Sequence, residues 1–296
     1  MTVKCFFKNN FKNKFIATIF VLLLILPCVY IFSHYQNAES EGPQNQENTI
    51  NLPVLMYHLV LKNPKNKNQF IISQKTFEED LQYIKNNGYT TVLVKDLIDY
   101  TEGKSELPPK PILLTFDDGA YNNYLYAFPL AKKYNMKFVF SPIAAEAEKY
   151  SQIKDENPNY SHANWEEIRE MSDSGLVEIQ NHTYNMHCSK NPRVGCTKKF
   201  GESEETYKRN LSEDISKSQE LIEKNTGKKP TAFFYPFGAC SKCSEKIIRS
   251  LGFKSTFLCE SRVNKISKNP ECLFRLGRFI RPPDVPSEKV FSAFEK

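Results

Sequence analysis

Asp117 and Asp118 stand side by side, followed by Gly119, at the end of the apolar run Ile112-Leu113-Leu114-Thr115-Phe116. Adjacent carboxylates leaving a strand point in different directions, so one can bind a metal ion while the other stays free as a base. Gly119 allows the backbone a sharp turn there. His182 and His187 follow a second strand-like run, Val177-Glu178-Ile179-Gln180. On an α-helix, five-residue spacing turns two rings about 140° apart, so a strand-end loop must bring both imidazoles onto one ion. One carboxylate and two imidazoles leave coordination positions for water and a substrate oxygen, as a hydrolytic metal requires. His58, directly after Val54-Leu55-Met56-Tyr57, and the segment Tyr235-Pro236-Phe237-Gly238, which closes the run starting at Ala232, complete the set. The rival readings are a plain Asp-Asp-Gly turn and ordinary loop histidines. Their shared placement at strand ends favours metal-assisted hydrolysis.

Strand C-termini share a rim only in a parallel sheet or barrel, where α/β enzymes gather catalytic groups. The chain fits that demand. Strand-like runs recur at 54–57, 91–94, 112–116, 137–140, 177–180, 232–235 and 255–258, with helical patterns between them. Thr76-Phe77-Glu78-Glu79 opens a helix carried by Phe77, Leu81 and Ile84 and ended by Gly88. Trp165 to Met171 reads as a short amphipathic helix. The longest runs from about Glu204 to Asn225, with Tyr207, Leu211, Ile215, Ser218 and Ile222 on one face and Gly227 beyond its end. This order predicts an α/β fold, a distorted (β/α) barrel of mainly parallel strands.

Residues 15–32 are almost wholly apolar, long enough to cross a bilayer, and preceded by Lys4, Lys8, Lys12 and Lys14. The pattern predicts a basic cytoplasmic tail (1–14), an uncleaved transmembrane helix (15–32), a polar linker (33–51) and one domain outside the cytoplasm (52–296). The expected location is the cell membrane, single-pass; a cleaved signal peptide is the alternative. The formal charge of +6 comes from 40 basic and 34 acidic residues. Without the four tail lysines the excess is only two, which gives no case for nucleic-acid binding. No protein partner is implied. Six of the eight cysteines (Cys188, Cys196, Cys240, Cys243, Cys259 and Cys272) lie in the exported part. Sequence proximity favours disulfides 188–196, 240–243 and 259–272, with a structural zinc site on the first four as the competing reading.

Thr115-Phe116-Asp117-Asp118-Gly119, then His182-Thr183 with His187, then Tyr235-Pro236-Phe237-Gly238 resemble the NodB-type polysaccharide deacetylases, family 4 carbohydrate esterases. The resemblance covers roughly Leu52 to Ile280. It implies Asp117 as general base and Asp118, His182 and His187 as ligands of a divalent metal. Zinc is the first expectation; cobalt, nickel and manganese suit the same ligands. The substrate it implies is an acetylated amino-sugar polysaccharide, and the third motif would supply substrate contacts and an N–H for the developing oxyanion. Three departures matter. The histidines are commonly four apart in the family, an arginine often stands where Phe234 is, and no histidine follows His187. His58 resembles the acid histidine of a permuted branch that includes poly-N-acetylglucosamine deacetylases. Arg278, and after it Arg275, are the candidates to orient Asp117. Peptidoglycan or chitooligosaccharide substrates, an O-acetyl esterase, and an inactive glycan-binding protein remain alternatives.

Overall fold

Seven parallel segments form a ring whose seams differ in strength. The computed structural model describes residues 49–65, 68–190 and 192–294. The expected tail and membrane helix, and residues 33–48 of the expected linker, lie outside these. Among the described residues no helix is long and apolar enough to cross a membrane. The last linker residues are structured: β1 (Ile50–Leu52) pairs antiparallel with β11 (Asn264–Ile266).

The main sheet orders β12 (Phe279–Ile280), β2 (Val54–Tyr57), β6 (Pro111–Asp118), β7 (Phe138–Pro142) and β8 (Val177–Ile179), all parallel. A separate parallel pair joins β9 (Ala232–Phe234) to β10 (Ser255–Phe257). Single bridges connect the two groups. Asn181 meets Phe233 beyond β8, and Leu276, just before β12, meets Phe257. Hydrogen bonding therefore runs the whole way round, with two narrow seams.

Alternation along the strands separates inside from outside. Val54, Leu113, Val139, Ala232, Phe234, Phe257 and Leu276 form one buried cluster. Leu55, Tyr57, Ile112, Leu114, Phe116, Phe138 and Phe140 point the other way, under the helices. Helix α1 (Gln74–Asn86) starts at Ser73, whose hydroxyl accepts from Thr76 N–H. Helix α6 (Glu204–Thr226) buries the five face residues expected of it and ends at Gly227, φ +70°. The expected strand at 91–94 is shorter. β5 covers Thr90–Thr91, and helix α2 begins at Val94 because the Asp96 carboxylate accepts from Leu93 N–H at 2.9 Å. A short apolar run is ambiguous between the two states, and this local cap decides it.

Cys188, Cys196, Cys240, Cys243 and Cys259 are free thiols, contrary to the expected pairings. Cys188 is exposed whereas Cys196 is buried, its backbone paired with that of Cys240 in a one-residue β-bridge. Cys259 contacts Met56 and Arg278, while Cys272 packs against the Ser267 carbonyl. Nor do four cysteines gather as zinc ligands. Among the described residues, the metal-ligating group of three or more is Asp118, His182 and His187.

Candidate active site

A cavity of about 480 Å³ opens at the strand C-termini and is lined by His58, Asp117, Asp118, His182, His187 and Phe237. Met56, Leu59, Asn68, Phe70, Cys259 and Ile280 complete its walls. Residues from four separate motifs thus meet in one place.

Asp117 and Asp118 end β6 and, as alternation requires, diverge. Asp118 has φ +68° and Gly119 +82°, a conformation that costs a non-glycine residue free energy. A Cβ on Gly119 would sit 2.8 Å from the Pro142 Cβ, so the turn demands glycine. The loop after β8 is also strained at Thr183, φ +78°. Asn181 Oδ1 holds Thr183 N–H, and the Asp214 carboxylate of α6 accepts from Tyr184 and Asn185 N–H, each at 2.9 Å. These bonds curl the loop so that both imidazoles face one carboxylate.

His182 Nε2 lies 3.3 Å and His187 Nε2 3.0 Å from Asp118 Oδ1. His182 Nδ1 sits 2.8 Å from the Phe234 carbonyl. That oxygen can only accept, so Nδ1 carries the proton and Nε2 turns a lone pair toward Asp118. Asp118 Oδ1 is buried with no hydrogen-bond partner. Oxygen and imidazole lone pairs converging on one point fit a divalent cation, and the three ligand atoms lie within 4.8 Å of one another. Burial opposes ionisation of Asp118 and of His187, yet imidazoles that carry a second proton hold Asp118 well below the carboxylate range, and its carboxylate raises His187.

Asp117 is held differently. Arg278 donates Nη1 to Oδ1 at 2.8 Å and Nη2 to Oδ2 at 2.7 Å, and the Ser141 hydroxyl reaches Oδ1 at 2.9 Å. Burial works to raise this carboxyl, but Arg278, with His182 and His58, outweighs it and holds it at about 2. The guanidinium lies 5.0 Å over the Phe234 ring. The position where the family often has arginine therefore supplies a face for an arginine arriving from the last strand. Arg275 does not reach Asp117; its Nη1 contacts Cys240 Sγ at 3.6 Å.

His58 follows β2, its ring 4.7 Å from Phe70, and burial lowers its pKa against the pull of both aspartates. Its Nδ1 is buried without a partner.

The third motif divides. Phe237, φ +59°, lines the cavity and packs 4.4 Å from His187. Tyr235 points away into the cluster of Phe233, Tyr207 and Cys196, because 233 and 235 share the outer face of the strand. Pro236 is buried and has no N–H; Gly238 and Ala239 N–H bond to Tyr235 and Pro236 carbonyls. Phe237 N–H is what the turn leaves free. Gly238 is needed for packing, since a Cβ there would lie 2.8 Å from Cys259 N. Nothing in the sequence marks the cavity walls Asn68, Phe70 and Cys259. His162, which its loop setting suggests is a surface residue, is half-buried with Nδ1 2.9 Å from the Asp118 carbonyl.

A family profile described as polysaccharide deacetylase matches residues 104–256. A poly-beta-1,6-N-acetyl-D-glucosamine N-deacetylase of Staphylococcus aureus (strain MSSA476) is 26% identical over 266 residues, which span 84% of this chain and 87% of that protein. Among solved structures, a de-N-acetylase from Aggregatibacter actinomycetemcomitans superimposes with a TM-score of 0.69 at 28% identity, covering 83% of this chain and 100% of that one. IcaB from Ammonifex degensii gives 0.67 at 29% identity, covering 82% and 96%.

Proposed function

Because the chain belongs to the polysaccharide deacetylase family, we propose that it is a metal-dependent hydrolase removing N-acetyl groups from N-acetylglucosamine units of a polysaccharide. Poly-N-acetylglucosamine is the substrate the relatives favour. The reading includes a membrane anchor at residues 15–32 and a catalytic domain outside the cytoplasm, supported by the lysines ahead of that apolar segment. The observation that carries it is the facing of the buried Asp118 Oδ1 and the His182 and His187 Nε2 atoms beside an Arg278-held Asp117.

Asp118, His182 and His187 would hold the cation, zinc by ligand type with cobalt, nickel or manganese as alternatives. A divalent ion there supplies Lewis-acid polarisation of the acyl oxygen and a lower pKa for attacking water. Asp117 takes the proton as water attacks, and Arg278 keeps it ionised and aimed. Phe237 N–H is the donor for the oxygen that gains negative charge. His58 gives a proton to the departing amine. The exposed faces of Phe70 and Phe237 flank the cavity and suit the apolar faces of a pyranose.

Acetate release and product mass from β-1,6-linked N-acetylglucosamine oligomers test the reading, with peptidoglycan fragments, chitooligosaccharides and O-acetylated sugars alongside. Turnover on the first, abolished by chelation and restored by zinc or cobalt, is expected. Asp118→Ala should lose metal and turnover together. His58→Asn should cost roughly 10²-fold on the amide and much less on an activated aryl acetate, whose leaving group needs no proton. Turnover confined to O-acetylated sugars would make the protein an esterase. Binding without turnover on any of them would make it a glycan-binding protein.

A further inference from the structure

Asp118 bears a demand the other ligands do not: its carboxylate points at the imidazoles only while its backbone stays left-handed, φ +68°. Something must hold that conformation. Residues 161–163 run antiparallel beside the turn, with Tyr121 N–H donating to Ser161 O and Ala163 N–H to Gly119 O, each at 2.9 Å. This places the His162 ring against Tyr150, centroids 5.6 Å apart, and its Nδ1 2.9 Å from the Asp118 carbonyl. A carbonyl only accepts, so Nδ1 is the donor. The same oxygen takes a longer bond from Ile143 N–H at 3.3 Å. Pro142 closes the other side of the turn, where it already excludes a Cβ on Gly119.

We propose that His162 is a positioning residue for the metal site: its Nδ1–H fixes the Asp118–Gly119 peptide and so aims the Asp118 carboxylate. The inference rests on Asp118 being a metal ligand. Groups that orient a metal ligand in this way are worth roughly 10- to 100-fold in metal affinity. The ring and the donor are separable. His162→Phe keeps a ring against Tyr150 and removes the donor. His162→Asn removes the ring and puts an amide N–H where Nδ1 was.

The test is cobalt affinity by competition with a chromophoric chelator, with the cobalt absorption spectrum of the intact protein and its melting followed in parallel. His162→Phe and His162→Ala should weaken cobalt roughly 10- to 100-fold and shift its visible bands, whereas His162→Asn should stay close to the unsubstituted protein. The inference fails if either donor-less variant that folds binds cobalt as the unsubstituted protein does, with unchanged bands. It also fails if His162→Asn is as weak as His162→Phe, which would make ring packing the contribution. If the unsubstituted protein binds cobalt no more tightly than Asp118→Ala, it is the metal reading itself that falls.

Discussion

Two arginines three residues apart at the last strand each grip a buried aspartate with two hydrogen bonds, and the two pairs have opposite characters. Both guanidinium groups are wholly buried. Asp80 accepts from Arg281 Nε and Tyr57 Oη on one oxygen, and from Arg281 Nη2 and Ser287 Oγ on the other. Each carboxylate oxygen has about two acceptor sites, so Asp80 is saturated. Asp117 accepts two on Oδ1 and one on Oδ2, which leaves a lone pair beside the cavity. A saturated buried carboxylate is a brace. One bond short of saturation, it can still take a proton.

The sharpest way to break this contrast is to neutralise each carboxylate. Asp117→Asn should lower kcat by roughly 10²- to 10⁴-fold with metal content retained. Asp80→Asn should leave the turnover of folded protein intact and appear instead as lost stability; the reverse pattern would exchange their roles. Next in size is Arg281→Met, which strands a buried carboxylate and should cost about 3–5 kcal/mol in denaturant unfolding.

Arg278→Lys should lower kcat by roughly 10- to 100-fold, the value of a hydrogen bond to a charged group. It should also displace the acid limb of the pH profile. Arg278 holds the Asp117 carboxyl at about 2; with a weaker hold the carboxyl rises, is protonated at higher pH, and the acid limb moves upward. A downward shift would mean that the limb belongs to another group. Tyr57→Phe removes one of four donors to Asp80 and should cost only about 1 kcal/mol in the same unfolding measurement.

Much of this was readable in sequence because buried parallel strands are continuous apolar runs and the site residues sit directly after them. The gathering of His58, Asp117, Asp118 and His182 around one cavity follows from that rule, whereas His187 joins them through the loop that Asn181 and Asp214 curl. What sequence did not reveal depends on direction and on distant partners. The sequence favours Arg278 over Arg275 only narrowly, whereas the chain's path sets the first on Asp117 and the second against Cys240. Tyr235 reads as part of a motif, yet pleating turns it outward. Nearness in sequence pairs Cys188 with Cys196, yet the first is exposed and the second buried. His162 carries no local mark, since its partner is a main-chain oxygen 44 residues away.

The two narrow seams give the site a mechanical consequence. Between β8 and β9, His182 adds its bond to the Phe234 carbonyl beside the single Asn181–Phe233 bridge. Between β10 and the last strand, Arg278 Nε bonds the Leu258 carbonyl at 2.9 Å beside the Phe257–Leu276 bridge. Side chains that face the chemistry are also rivets in the hoop. In many enzymes, replacing an active-site group relieves strain and stiffens the protein. At His182 and Arg278 the trade runs the other way, and amides flanking the seams should exchange faster once either rivet is drawn.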